Sequence, residues 1–253
     1  MTEEQIPSTS GTSNKKWIGL AIGGGCVLLA CLALFVALAV ALLRPGLAGP
    51  LSRFLPGTPA TPGGTSVSGT SPANSKYPQQ SGNTLGDPNA PVKIIEYADF
   101  QCPYCQHYWQ DTEPQIIEAY VKTGKVYYEY RSVGAFIGPE SAAAAEAAYC
   151  AGDQGRFWEY HDALFSHWTG ENVGDFDKGK LLQYATTVHL DPTAFYECVN
   201  SGKYADRVQQ DVKDAQADGV HATPSFLING KLLEGAQPFD VLRKAIDAAL
   251  QGK

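Results

Sequence analysis

The chain has 253 residues and an acidic balance, with 26 Asp and Glu against 19 Lys and Arg. This length allows one domain of ordinary size with additional segments, or two small domains. An acidic chain without a basic stripe is poorly suited to nucleic acid or to anionic lipid headgroups, so we exclude both as binding partners.

Residues 17–43 contain no charged side chain and are almost entirely apolar. At 1.5 Å per residue, a helix of this length spans a hydrocarbon core of about 30 Å. The pattern predicts a transmembrane helix that acts as a signal-anchor, behind a cytoplasmic tail at residues 1–16. A cleaved signal peptide is the alternative, although its apolar region is normally shorter.

Residues 44–86 are dominated by Pro, Gly, Ser and Thr, which predicts a flexible linker rather than a folded segment. The chain has six cysteines, and four of them lie outside the apolar stretch. Cysteine usage of this kind is typical of an oxidising compartment, so we expect the C-terminal part to lie outside the cytoplasm.

Cys102 and Cys105 stand directly behind the apolar run 92–97, with Pro103 and Tyr104 between them. Two cysteines at this spacing can close a disulfide or supply half of a zinc site, but no second pair completes the four zinc ligands. Pro103 favours a helix start, where free N–H groups and the helix dipole stabilise a Cys102 thiolate. The motif predicts a dithiol redox site with no metal and no cofactor.

Strand and helix patterns follow each other along the rest of the chain. A strand at 92–97, a helix at 103–122 that is kinked at Pro114, and a strand at 126–131 predict a parallel βαβ unit. Helical patterns then occupy 141–151, 155–165, 181–188, 192–200 and 205–217. A strand at 225–228, a turn at Asn229-Gly230, a strand at 231–233 and a helix at 239–250 complete the order.

This order, with the cysteine pair at the first strand-to-helix junction, resembles an α/β thioredoxin fold with a helical insertion. The chain is similar to the DsbA-like family of thiol–disulfide oxidoreductases, in particular its membrane-anchored, BdbD-like branch, over residues 87–250. The matching positions are Glu96, the segment 99–105, Thr223-Pro224 and the segment 226–230. The resemblance implies a monomeric domain at 87–253, with its insertion at about 138–218, held at the bacterial cytoplasmic membrane through residues 17–43.

The resemblance also assigns roles to individual residues. Cys102 is the sulfur that substrates attack, and Cys105 is its resolving partner. Glu96 is a buried acid that carries a proton for Cys105, with a structural ion pair to Lys93 as the alternative. The candidate catalytic residues are Cys102, Cys105, Glu96 and Pro224, and the candidate substrate-binding residues are Thr223, Pro224, Tyr104 and His221.

Three of these assignments have competing interpretations. Pro224 is expected to be a cis proline whose loop pairs with substrate backbone, and an ordinary trans turn proline is the alternative. His221 and His107 are expected near the dithiol, where either could favour the Cys102 thiolate or simply be a solvated surface residue.

Cys150 and Cys198 lie on separate predicted helices of the insertion. Leftover cysteines of an exported protein usually pair, so we expect a structural disulfide between them. Two free thiols or a second redox pair are the alternatives.

The implied function is the oxidation of cysteine pairs in exported proteins, followed by reoxidation through a membrane partner that is DsbB-like or VKOR-like. A thiol reductase for cytochrome c maturation is one alternative, although such proteins usually carry Trp where this chain has Gln101. A thioredoxin-fold protein that binds copper is the other. The chain departs from the family at Ala222, before Thr223, and at Tyr104, where DsbA itself has His.

Overall fold

The computed structural model describes residues 76–134 and 137–252. The predicted tail, transmembrane helix and most of the predicted linker lie outside the described residues. Within the described ranges, no helix combines the length and the apolar character needed to cross a membrane.

In the described part of the chain, a five-stranded mixed sheet forms the centre of the domain, in the order β1-β3-β2-β4-β5. Its strands are β1 (Thr84–Leu85), β2 (Val92–Ala98), β3 (Val126–Ser132), β4 (Ser225–Ile228) and β5 (Lys231–Glu234). The pair β2 and β3 is parallel, as predicted for a βαβ unit, and the other three pairs are antiparallel. β2 is therefore a central strand, and its C-terminal end leads into the cysteine motif.

The connection between β2 and β3 is a helix interrupted near Pro114, as the sequence predicts. Helix α1 (Pro103–Asp111) ends before Thr112, and α2 (Glu113–Ile116) continues into a π-helical turn at Ile117–Val121. Proline has no N–H to donate, so it is tolerated in the first turn of α2 but not inside one continuous helix. The break is therefore set by this single residue.

Among the described residues, five helices lie between β3 and β4, and they correspond to the predicted insertion. They are α3 (Pro139–Gly152), α4 (Phe157–His167), α5 (Lys178–Thr187), α6 (Pro192–Ser201) and α7 (Ala205–Ala217). Cys150 on α3 is bonded to Cys198 on α6, with a Cα–Cα distance of 5.8 Å. The structure therefore confirms the predicted disulfide between these two cysteines.

The strands β4 and β5 form the predicted hairpin, and helix α8 (Phe239–Leu250) follows it. Asn229 and Gly230 both have positive φ, 43° and 82°, which is the conformation that a two-residue hairpin turn requires. The Asn229 side chain also accepts a hydrogen bond from the backbone N–H of Lys93 at 2.8 Å. The turn is thereby attached to the start of β2.

The folded domain begins earlier than predicted, because residues 76–86 do not belong to the linker. Tyr77 and Leu85 are buried in the core, and β1 pairs with β3. Gly86 has φ 85°, and a Cβ at this position would lie 2.6 Å from the carbonyl oxygen of Val126. A two-residue strand among Gly, Asn and Ser is too short to show hydrophobic periodicity, which is why the pattern missed it.

Candidate active site

The cysteine pair lies where β2 ends and α1 begins. Cys102 is the N-cap residue of α1, and Pro103 occupies the first helical position. Both cysteines are free thiols in this structure. Cys102 keeps 5% of its surface exposed and Cys105 keeps none, so an attacking thiolate can reach only Cys102.

The environment of Cys102 stabilises its thiolate. The thiol of Cys105 donates a hydrogen bond to it, and the side chain of Thr223 and the backbone N–H groups of Cys105 and Tyr104 contribute as well. Partial burial opposes these interactions, and together they lower the pKa of Cys102 to about 6. Cys102 is therefore largely ionised near pH 7 in the reduced dithiol.

The environment of Cys105 has the opposite effect. Burial raises the pKa of its thiol well above the ordinary value, and the hydrogen bond to Cys102 and the charges of Cys102 and Glu96 raise it further. The reduced dithiol thus consists of a thiolate at Cys102 and a thiol at Cys105. Closing the disulfide requires the removal of one proton from Cys105, and opening it requires the return of that proton.

The loop before β4 faces the cysteines across the site. The Thr223-Pro224 peptide bond is cis, as predicted. The carbonyl oxygen of Thr223 lies 3.4 Å from Sγ of Cys102 and accepts its hydrogen bond when Cys102 is a thiol. The loop is held by the hydroxyl of Ser225, which donates to the carbonyl of Ala222 at 2.7 Å. Thr223 and Pro224 therefore border the reactive sulfur.

Glu96 is buried on β2, beneath the cysteines. The hydroxyl of Tyr128 donates to its Oε2 at 2.7 Å, and the hydroxyls of Tyr108 and Tyr128 are 3.0 Å apart. Burial raises the pKa of Glu96 to about 8, although the hydrogen bond from Tyr128 lowers it in part. Glu96 is thus a predominantly protonated acid near pH 7, in the range suited to proton transfer.

The alternative role of Glu96, an ion pair with Lys93, is wrong. Lys93 is exposed and lies three residues earlier on the same strand, so its side chain points to the opposite face of the sheet. The partner of Glu96 is instead Tyr128, from the neighbouring strand. A strand pairing of this kind cannot be read from the local sequence around Glu96.

The remaining predicted site residues lie on the surface. Tyr104 is 66% exposed, which leaves its ring available to a substrate. His107 pairs with Asp111 at 3.0 Å, and the backbone N–H of His221 donates to Glu234 at 3.0 Å. The hydrogen bonds that lower the pKa of Cys102 come from Cys105, Thr223 and Tyr104 rather than from either histidine. A substrate-binding role for His221 stays a prediction.

Sequence reasoning missed a polar network that joins the cysteine motif to the insertion. Asp99 is buried and accepts hydrogen bonds from the hydroxyl of Ser141 at 2.7 Å and from the backbone N–H of Gln101 at 2.8 Å. The Gln101 side chain donates to Ser141 at 2.9 Å and accepts from the backbone N–H of Asn172 at 2.5 Å. The network fixes the segment before Cys102 against the start of α3 and against the loop between α4 and α5.

Two buried titratable residues were missed as well, Glu113 and His161. Glu113 stands next to the predicted kink, and His161 lies within an aromatic run of α4. Neither residue is part of a recognisable motif, so the only available signal was an ionisable side chain within an apolar pattern.

Residues 79–248 match the protein family described as Thioredoxin. A Na(+)/H(+) antiporter NhaA 1 of Salinispora arenicola is 36% identical over 168 residues, which cover 66% of this chain and 24% of the antiporter. A probable disulfide bond formation protein D of Bacillus anthracis is 33% identical over 190 residues, which cover 70% of this chain and 82% of that protein. The crystal structure of oxidised BdbD from Bacillus subtilis has a TM-score of 0.63 at 25% identity, with 70% of this chain and 96% of that chain covered.

These similarities differ in extent. The chain spans about a quarter of the length of the antiporter relatives, so it resembles only one part of those proteins. It spans most of the disulfide bond formation protein D of Bacillus anthracis and nearly all of the BdbD structure. The matched region contains the cysteine pair, the cis proline loop and the helical insertion described above.

Proposed function

Because the chain belongs to the thioredoxin family and, within it, to the DsbA-like thiol–disulfide oxidoreductases, we propose that it oxidises cysteine pairs in exported proteins. The main support for this direction of electron flow is that the pKa of Cys102 is lowered whereas the pKa of Cys105 is raised. A stabilised Cys102 thiolate lowers the free energy of the reduced form of the protein. The disulfide form is therefore easily reduced and acts as a strong oxidant of other thiols.

The proposed reaction has two exchange steps. A substrate thiolate attacks Sγ of Cys102, the Cys102–Cys105 disulfide opens, and the departing Cys105 sulfur takes a proton from Glu96. A second substrate thiolate then attacks the substrate sulfur of the mixed disulfide, which releases the oxidised substrate and leaves Cys102 as a thiolate. Two electrons pass from the substrate to the enzyme in each cycle.

The loop at Thr223 and Pro224 suits an extended substrate segment. It lies against Cys102 and leads into β4, a position from which a substrate backbone can pair by strand addition. The exposed ring of Tyr104 offers an apolar surface beside the same sulfur. We therefore assign substrate contact to Thr223, Pro224 and Tyr104, and include His221 at the start of this loop.

The proposed location is the extracytoplasmic face of the bacterial cytoplasmic membrane. Residues 17–43 are long and apolar enough to anchor the chain, and the composition of the residues that follow suits a tether. The Cys150–Cys198 disulfide supports an oxidising compartment. In this location the reduced enzyme is reoxidised by a membrane partner, DsbB-like or VKOR-like, and it acts as a monomer.

Equilibration of the full chain, purified in detergent, with glutathione buffers tests the direction of electron flow. A reduction potential of about −120 mV, at the oxidising end for this fold, supports an oxidase. A potential of about −270 mV contradicts it and indicates a reductase, such as one that serves cytochrome c maturation. The fraction of oxidised Cys102–Cys105 is read from the thiolate absorbance of Cys102.

A further inference from the structure

A second cluster of ionisable side chains lies in the core beside the dithiol site. His161 is fully buried, and its Nε2 lies 3.7 Å from Oε2 of Glu113, which is also buried. The other ring nitrogen, Nδ1, lies 3.7 Å from Oδ1 of Asp162. Within the described part of the chain, neither ring nitrogen nor Oε2 of Glu113 has a hydrogen-bond partner.

Unpartnered polar atoms in a core are rare, because each one loses its interaction with water without a replacement. The site is also densely aromatic, since the rings of Trp158, Phe165 and Tyr130 lie within about 5 Å of the His161 ring. A buried histidine between two carboxyl groups therefore indicates a chemical role rather than a packing role.

The outer end of the cluster reaches solvent. The side chain of Asp162 is about a quarter exposed and accepts a hydrogen bond from Nε1 of Trp109 at 2.7 Å. It also forms an ion pair with the exposed Lys76. Despite the opposing effect of burial, the interactions with His161, Lys76 and Tyr77 keep the pKa of Asp162 below its usual range. Asp162 therefore presents a carboxylate to Nδ1 of His161.

The inner end of the cluster adjoins the pocket of Glu96. Burial raises the pKa of Glu113 well above its ordinary value, and the charge of Glu96 raises it further. Tyr108 and Tyr128, which link to Glu96 by hydrogen bonds, experience the charges of both carboxyl groups. Glu113 thus contacts the buried histidine and feels the charge of the acid beneath the dithiol.

Three side chains of these types can also bind a divalent cation. However, the two carboxyl groups face different nitrogens of the ring, and a metal ion binds only one nitrogen of a histidine. The ammonium group of Lys76 on Asp162 further disfavours a cation. A carboxyl group at each nitrogen is instead an arrangement through which an imidazole passes a proton.

We propose that Glu113 and His161 form a proton relay that connects Glu96, beneath the dithiol, with solvent at Asp162. The proposal deepens the thiol–disulfide exchange described above, and it holds for either direction of electron flow. Glu96 is buried, so any proton that it regains from solvent after it has protonated Cys105 needs a path through the core.

Each transfer in the relay balances. When the Cys102–Cys105 disulfide closes, the protonated Glu113 gives its proton to Nε2 of His161, and the Asp162 carboxylate stabilises the resulting imidazolium. The Glu113 carboxylate then takes the proton of Glu96, and the Glu96 carboxylate takes the proton of Cys105. The ring loses the proton on Nδ1 to water at the Asp162 edge. When the disulfide opens, the same transfers run in reverse.

Burial lowers the pKa of His161, so the ring is neutral near pH 7 and has one donor and one acceptor nitrogen. The other titratable or charged groups around the relay are Lys76, Tyr77, Tyr108, Tyr128, Tyr130 and Glu159. Burial raises the pKa of each of these tyrosines, so their hydroxyls stay protonated. The groups that change protonation with turnover are the two buried acids and the imidazole.

The test uses stopped-flow exchange between the full chain in detergent and a dithiol peptide, measured in both directions from pH 5 to 9. His161→Gln removes the ring that passes the proton, and His161→Phe does so while matching the aromatic surroundings. We expect both variants to lower the forward and reverse rate constants equally, by about tenfold, with an unchanged equilibrium constant. The wild-type rates should fall in D2O, with a curved dependence on the deuterium fraction.

His189→Asn is the matched control, because His189 is exposed and its positive φ of 59° is tolerated by Asn. Wild-type rates in a folded His161 variant, or rates that change only as the equilibrium constant changes, overturn the relay. Insensitivity of the wild-type rates to D2O overturns it without any variant. An absence of exchange by the wild-type chain counts instead against thiol–disulfide exchange itself.

Discussion

The hydroxyl of Tyr128 donates a hydrogen bond to Oε2 of Glu96 at 2.7 Å, beneath the reactive dithiol. A buried carboxyl group without a donor remains protonated over a wide range of pH, because burial disfavours its charged form. The tyrosine moderates this effect and leaves the pKa of Glu96 at about 8. The acid is thereby able both to release and to accept a proton near neutral pH.

Tyr128→Phe removes this hydrogen bond while retaining the ring. The bond stabilises the Glu96 carboxylate, so its loss should raise the pKa of Glu96 above about 8. A hydrogen bond to a charged group contributes about 1.5 to 3 kcal/mol, which corresponds to a rise of roughly one to two units. Carbon-13 NMR titration of the labelled carboxyl group of Glu96 in the reduced protein measures the change.

Tyr127→Phe is the control for this measurement, because Tyr127 is the adjacent residue of β3 and points to the opposite face. An unchanged titration midpoint in Tyr128→Phe, or an equal shift in Tyr127→Phe, contradicts the assigned role of Tyr128.

Glu96→Gln should make the protein more stable than wild type by an amount that grows with pH. The pKa of Glu96 is about 8 in the folded state against 4.5 for an unperturbed Glu. Between these values the unfolded chain has released the proton and the folded chain retains it, so the free energy of unfolding falls as pH rises. The advantage of the variant should increase by roughly 2 to 3 kcal/mol between pH 5 and pH 7.

Urea unfolding of both proteins at pH 5, 6 and 7 measures this difference. Glu118→Gln is the control, since Glu118 is exposed and its carboxylate pairs with Lys122 on the surface. A constant stability difference between Glu96→Gln and wild type across this range would show that the carboxyl group of Glu96 is already ionised in the folded state.

Alkylation should distinguish the two thiols of the reduced site. The rate of iodoacetamide modification follows the thiolate fraction, so Cys102 should react with a midpoint near pH 6 while Cys105 stays unmodified below pH 8. Mass spectrometry of the digested protein identifies the modified residue. Cys102→Ser should abolish exchange, and Cys105→Ser should accumulate mixed disulfides with substrate. Preferential labelling of Cys105 is the result that contradicts this order of roles.

The Cys150–Cys198 disulfide should contribute stability independently of the redox site. It closes a loop with a sequence separation of 48 residues. In the chain-entropy account a loop of this size contributes about 4 kcal/mol, so the Cys150→Ala, Cys198→Ala double variant should lose up to about that amount. Urea unfolding measures the loss, and the exchange rate of Cys102–Cys105 should be unchanged. Rapid loss of exchange activity in a folded double variant indicates instead that this pair takes part in the redox chemistry.

The sequence alone predicted the central features of the fold, because patterns of neighbouring residues specify them. The run 92–97, the turn at Asn229-Gly230 and the helical periodicity between 139 and 217 specify their elements through neighbouring residues. The reactive pair was equally readable, since Cys102, Pro103 and Cys105 are close together in the chain and their chemistry depends on a helix start. Even the kink at Pro114 followed from one residue that lacks an N–H.

Tertiary structure decided what surrounds that pair, because those contacts join residues far apart in the chain. Tyr128, rather than Lys93, is the partner of Glu96 only because β3 lies parallel to β2 and places Tyr128 on the same face of the sheet as Glu96. His161 meets Glu113 because α4 of the insertion contacts the start of α2, the helix that follows the one with the cysteines. A local pattern shows whether a side chain is buried, but the partner that it meets there depends on how the strands and helices pack, and that packing sets its pKa.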